Sequence, residues 1–195
     1  MNDRIFETVV TTCSPEGAVH VAPMGVRYAA GEVVLKPFRP SRTLDNVTRT
    51  RTAVLNLLTD VRVFAGCVTG RHDWPTLPVA GVDGAAAVRL ECAHAHVLLR
   101  LLALADDAQR PTLRLARVHE VQHSAFPGFN RAQAAVIEGA VLVSRLHLLP
   151  REKIEGEMAC LQIAVDKTAG APEREAWGWL QEAVARQPAA ALGEA

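Results

Sequence analysis

Up to about residue 125 the chain reads as short β-branched runs broken by turn residues. "RIFETVVTTC" ends at "SPEG", "AVHVAPMGVRY" follows, and "AAGE" turns the chain into "VVLKPF". Such runs, bounded by Gly, Pro and Ser, predict an antiparallel meander of three strands. "SRTLDNVTRT" then predicts a short helix with Ser41 as N-cap and Asp45 in its early turns. "TAVLNLLT" returns to strand. Residues 60–86 decide less: "DVRVFAGCVTG" suits helix or strand, and "RHDWPTLPVAGVDGAAA" reads as a connection. Two more strands are predicted near 87–103 and 111–124, joined by "ADDAQRP". About six antiparallel strands with one small helix predict a closed barrel rather than an open sheet.

From residue 129 the period changes. In "NRAQAAVIEGAVLVSRLHLL" apolar residues recur at helical spacing, and Ala134, Ile137, Val141 and Leu142 are predicted to share a face. Pro150 stops or restarts this helix, and "REKIEGEMACLQIAVDK" predicts a second. "APEREAWGWLQEAVARQ" predicts a third, with Pro172 at its start and Trp177 and Trp179 as packing anchors. The expected organisation is mainly β with α: a barrel over 1–125, a helical extension over 126–188 packed on it, and a disordered tail over 189–195.

Composition narrows the function. The 195 residues suffice to hide about 70% of the unfolded surface. Lys plus Arg is 21 and Asp plus Glu is 21, which argues against a general polyanion binder and so against nucleic acid. The cysteines Cys13, Cys67, Cys92 and Cys160 form no CxxC pair and read as free thiols in a reducing cytoplasm. No run of 18 apolar residues exists, so no membrane partner is expected. Ser, His and Asp are present without a nucleophile elbow, so a hydrolytic triad is not indicated.

Local charge is more informative than net charge. "LKPFRPSRTLDN" crowds Lys36, Arg39 and Arg42 around a helix start. Cations there oppose the helix dipole at about 0.3–1 kcal/mol each. Ser41 and Thr43 lie among them, and the first turn of a helix leaves backbone N–H groups free. Cations, hydroxyls and free amides together make an anion site, and a phosphate monoester suits it best because the chain has no GxGxxG or GxxxxGK[ST]. Taken alone, the same cations also suit a solvated surface.

"VVLKPFRPSRTLDNVTRTRTAVLNL", preceded by "TVVTTCSPEGAVHVAPMGV", resembles the FMN-binding split β-barrel proteins, the superfamily of flavin reductases and pyridoxamine phosphate oxidase. "APMGV", "PSRTL", "NRAQAAVIEGAVLVSRLHLL" and "KTAG" are most like a set of uncharacterised proteins from archaea and methylotrophic bacteria. The resemblance implies that Ser41, Arg42 and Thr43 hold an FMN phosphate, with Lys36 or Arg39 adding charge. It implies that Met24, Gly25 and Val26 lie against the isoalloxazine, and that Asn46 and Asn56 offer amides to the ring edge or ribityl chain. It also implies a homodimer with the flavin site at its interface. Pyridoxamine phosphate oxidase carries a second basic residue directly after its Ser-Arg pair, and here that position is Thr43.

The activity so implied is hydride or electron transfer from a reduced nicotinamide or deazaflavin to a small acceptor, and the methylotroph resemblance suggests a link to pterin-dependent one-carbon metabolism. No catalytic residue is named, because the electron chemistry belongs to the flavin. Two rival readings stand beside it. One is a non-catalytic FMN store or sensor. The other is a metal protein using Cys92, His94 and His96, alternating along one strand face with His119 or His123 as a fourth ligand. Arg131, Glu138 and Arg145, seven residues apart, read as a surface ion-pair row or as a substrate contact.

Overall fold

The computed structural model describes residues 4–186, and the expected tail over 189–195 lies outside them. The chain divides into two compact units, one of residues up to 59 and 72–126, the other of 60–71 and the residues from 127 onward.

The first unit is the barrel. Strands β1 (Phe6–Cys13), β2 (Val19–Ala29), β3 (Glu32–Leu35), β4 (Thr52–Leu57), β7 (Ala95–Ala105) and β8 (Thr112–Gln122) close in the order β1-β2-β3-β8-β7-β4. Every pairing is antiparallel. Alternation supplies the interior: Val33 and Leu35 from β3, Ala53 and Leu55 from β4, Val97, Leu99 and Leu101 from β7, and Leu113 and Leu115 from β8. Each large apolar side chain so buried contributes about 1.5–3 kcal/mol against exposure. Helix α1 (Arg42–Thr50) adds Leu44 and Val47 to this core, three residues apart on one helix face. It ends at Arg51, whose left-handed backbone (φ 56°) lets its N–H reach the Val47 carbonyl at 2.9 Å.

The expected strand over 87–103 is two strands. β6 (Ala86–Leu90) pairs with β5 (Thr76–Ala80) in a separate two-stranded sheet, and β7 belongs to the barrel. This hairpin covers the outer side of the barrel, where Val54, Val82, Ala87 and Leu98 form a second buried cluster. One side chain ties the layers together. Asn56 has no exposed surface, donates to the Val9 and Val54 carbonyls and the Thr11 hydroxyl at 3.2 Å each, and accepts from the Leu90 N–H at 2.8 Å.

The second unit is helical, with α2 (Arg62–Val68), α3 (Arg131–Ser144), α4 (Arg151–Thr168) and α5 (Ala171–Arg186). A division of the sequence at 125 leaves α2 with the barrel, whereas its residues group with the later helices. Asn130 caps α3 by accepting from the Ala132 and Gln133 N–H groups, and its amide donates to the Thr168 carbonyl at 3.0 Å. Trp177 is buried and donates to the Gln162 side chain at 2.6 Å, while Trp179 carries the Arg71 guanidinium 4.3 Å above its ring.

The apolar face expected for α3 coincides only in part with the one it buries. Ala132, Ala135, Val136, Gly139, Ala140, Leu142 and Val143 are buried, whereas Ala134 is exposed and Ile137 and Val141 are half-buried. Gly139 explains the choice, because a Cβ there would stand 2.8 Å from the Trp177 ring and 3.1 Å from Leu180. Close approach of α3 and α5 selects the stripe that contains the glycine. Arg131, Glu138 and Arg145 are exposed and form no ion-pair row among the described residues. No described helix is long and apolar enough to cross a membrane.

Candidate anion and cofactor site on the barrel

The site is assembled from the first turn of α1 and the neighbouring strands β1 and β2. Ser41 is extended (φ −146°, ψ 116°), and its hydroxyl accepts from the Leu44 N–H at 3.2 Å, the geometry of an N-cap. Arg42 is exposed at the first helical position with no hydrogen bond or ion pair to its guanidinium among the described residues. Thr43 is only 1% exposed, and its hydroxyl has no partner. A buried hydroxyl without a partner costs about 1–3 kcal/mol, so this group fits a site completed by a ligand oxygen.

Asn46, one turn further on, donates from Nδ2 to the Thr12 hydroxyl at 3.0 Å and so fastens α1 to β1. Lys36 is exposed just past β3. Arg39 is committed elsewhere: it pairs with Asp106 at 2.6 Å and donates to the Asp107 carbonyl at 3.2 Å. The turn between β7 and β8 therefore takes the cation that the sequence leaves open for a ligand.

Met24, Gly25 and Val26 lie further along β2, opposite Thr8, Glu7 and Phe6 of β1. Residues 19–26 pair with β1, but pairing with β3 begins only at Val26, so along 19–25 the second edge meets no strand among the described residues. An unpaired edge of this kind presents backbone donors and acceptors to a planar ligand. The Val26 side chain is buried in the barrel, so only its backbone faces outward, and the Thr8 hydroxyl donates to the Met24 carbonyl at 2.8 Å. Gly25 is exposed, and a Cβ there would lie 2.7 Å from Ile5 Cγ2.

Asn56 is not part of this arrangement. The sequence expectation gave its amide to a flavin, but every polar atom of that amide is engaged inside the protein, at a site with no exposed surface. The metal reading is corrected as well. Cys92 and His94 precede β7, which begins at Ala95, so they do not alternate with His96 along a strand. His94 is held by the Thr59 hydroxyl at 2.7 Å and the Ser124 hydroxyl at 2.6 Å, and His96 by His123 at 2.8 Å. No group of three or more metal-ligating side chains stands together among the described residues.

Sequence reasoning missed His20. It lies directly across from Thr12 in the β1–β2 register, and directly opposed residues share a sheet face. Thr12 bonds to Asn46, so that face is the one α1 covers. Burial pushes the His20 imidazole below its ordinary range, and the Arg42 guanidinium and His72 push it further. A lone His in an alternating run carries no signal of this; only the register reveals it.

A closed six-stranded antiparallel barrel with a capping helix is the split β-barrel class of fold, and here it carries a buried hydroxyl without a partner and an open β2 edge. Within that class, the chain belongs to the family described as Protein of unknown function (DUF447): its N-terminal domain model matches residues 6–124 and a second model matches residues 130–182. Among solved structures, the FMN-bound protein MM1853 from Methanosarcina mazei superposes with a TM-score of 0.80 at 22% identity, over 92% of this chain and 94% of that one. The 2-nitrobenzoate 2-nitroreductase NbaA of Pseudomonas fluorescens matches with a TM-score of 0.52 at 17% identity, over 63% of this chain and 66% of that one. An FMN-binding protein from Thermus thermophilus with bound p-hydroxybenzaldehyde matches with a TM-score of 0.51 at 14% identity, over 66% and 78%. The sequence matches no curated protein.

Proposed function

We propose that this chain binds FMN and acts as an oxidoreductase between a reduced nicotinamide or deazaflavin and a small acceptor. The observation that carries the proposal is the unpartnered, buried hydroxyl of Thr43 beside the N-cap Ser41 and the unpaired Arg42. A phosphate monoester answers all three. It accepts from the hydroxyl and the free helical N–H groups, and its charge offsets a cation placed against the helix dipole. Arg42 suits bidentate contact with phosphate oxygens, and Lys36 acts as a point charge nearby.

Support comes from the similar proteins: MM1853 is FMN-bound, the Thermus protein is FMN-binding, and NbaA is a nitroreductase. In this reading the ring lies along the backbone of Met24, Gly25 and Val26, with Asn46 near the ribityl chain. FMN supplies hydride and electron transfer when bound. The protein's part is to hold the phosphate, to orient the ring along a rigid strand edge and to limit water there. We infer a homodimer that completes the flavin site. The exposed apolar side chains Phe38, Leu102 and Leu104 on the barrel unit suit a covered surface, and the oligomer weight in solution tests this.

Titration with FMN, followed by quenching of flavin fluorescence, tests the reading. Wild type is expected to bind FMN and to bind riboflavin more weakly. Arg42→Ala is expected to weaken FMN by about 1.5–3 kcal/mol with little effect on riboflavin. Anaerobic bleaching of the yellow complex by a reduced nicotinamide separates an oxidoreductase from a flavin store. Equal FMN affinity in wild type and Arg42→Ala removes the phosphate from this turn.

A further inference from the structure

The phosphate subsite is short of charge on its own helix. FMN carries close to two negative charges at neutral pH, whereas Arg42 supplies one positive charge and the helix terminus about half of another. Thr43, the residue after Arg42, is neutral. Arg39 is held by Asp106. Lys36 is exposed past β3 and adds a point charge from the solvent side, so a contact from the barrel face has to come from another strand.

His20 on β2 is placed to give it. The β1–β2 register sets it opposite Thr12, and the Thr12 hydroxyl accepts from Asn46 Nδ2 on α1 at 3.0 Å, so His20 shares the sheet face that carries α1. The unpartnered hydroxyl of Thr43 lies in the first turn of that helix. The charged neighbours are few. Arg42 on α1 and His72 in the segment before β5 are the positive groups that act on it. Across on β1, Thr12 is neutral, and Cys13 is a buried thiol held protonated by desolvation. Asp45 is exposed on α1, and Glu16 pairs with Arg49 at 3.5 Å. Burial, Arg42 and His72 thus all disfavour the protonated His20 ring when no anion is present.

We propose that His20 is a further cationic contact of the phosphate subsite beside Arg42 and Lys36, meeting the phosphoryl dianion of FMN as an imidazolium and taking one proton from solvent as the ligand arrives. The proposal rests on the FMN reading above. An arriving dianion reverses the electrostatic balance at His20, since an opposite charge within about 4–6 Å favours the protonated ring. Above about pH 6, where the phosphate is the dianion, affinity falls as pH rises through the interval between the free and bound values of His20 and levels off beyond it.

The test measures FMN and riboflavin dissociation constants from about pH 6 to about pH 8.5 for wild type and His20→Gln, with calorimetric proton counting near pH 7.5. Wild type is expected to lose about tenfold in FMN affinity across that range and to take up a proton on binding. His20→Gln is expected to match wild type at the alkaline end, to be about tenfold weaker at the acid end, and to take up none. Riboflavin is expected to show no such dependence. Wild type that binds FMN without proton uptake overturns the role of His20 whatever the variant does. So does a variant that keeps the wild-type slope. Wild type that binds neither flavin at any pH overturns the FMN reading itself, and the assignment of His20 with it.

Discussion

At the scale of single residues, Asn56 and His96 carry more of the structure than of the chemistry. Asn56 uses its whole amide to join β1, β4 and β6. Replacing it by Ala strands the Leu90 N–H and opens a cavity, and should cost about 2–4 kcal/mol in a urea unfolding series, while FMN affinity of the folded fraction stays put. His96 is 2% exposed, with Nδ1 shared with His123 and Nε2 unpartnered. Burial, then His123, Arg89 and His119, lower its proton affinity. The unfolded chain therefore binds a proton more readily than the folded one, starting at about pH 6.5. Stability from this group is complete above that pH and drains away as pH falls toward the folded value. Denaturant midpoints at about pH 7 and about pH 5 should show the loss, and His96→Gln should flatten it.

At the scale of elements, local chemistry was readable and long-range pairing was not. Ser41 announced α1 because an N-cap works over three residues, and the β1–β2–β3 meander was visible in its turns. The start of β7 was misjudged because the His94 N–H bonds to the Leu57 carbonyl, a partner no local pattern reveals. α2 stayed ambiguous because "RVFAGCV" buries Val63, Phe64, Ala65 and Gly66 together, erasing the polar stripe that marks a helix. α3 is apolar almost all round, so its inner face is chosen by Gly139 meeting Trp177 rather than by its own period. The Ser41–Thr43 turn was legible for the same local reason as the cap, whereas His20 needed the register. Gly139→Ala gains up to about 1 kcal/mol of helix propensity but forces a buried ring aside at about 1–3 kcal/mol. A net fall in melting temperature is expected, measurable by circular dichroism.

At the scale of the molecule, the proposed cofactor addresses the barrel unit alone. With FMN at about one hundred times its dissociation constant, linkage adds about 2.7 kcal/mol to the folded state. For a chain of this size the barrel's thermal transition should rise by several degrees, at about 2–4 °C per kcal/mol. Riboflavin at equal concentration should raise it less, and a differential scan with both ligands measures the gap.

The helical unit is interrupted in sequence, since α2 precedes β5 while the helices it packs on, α3 and α5, follow β8. Scissors at the visible border near residue 126 therefore do not free a barrel. They leave a short orphan helix whose Val63 and Phe64 have lost their companions, a sticky stump on an otherwise finished product. Anyone wanting the cofactor-binding half by itself has to excise the inner segment too, or replace it with a polar bridge.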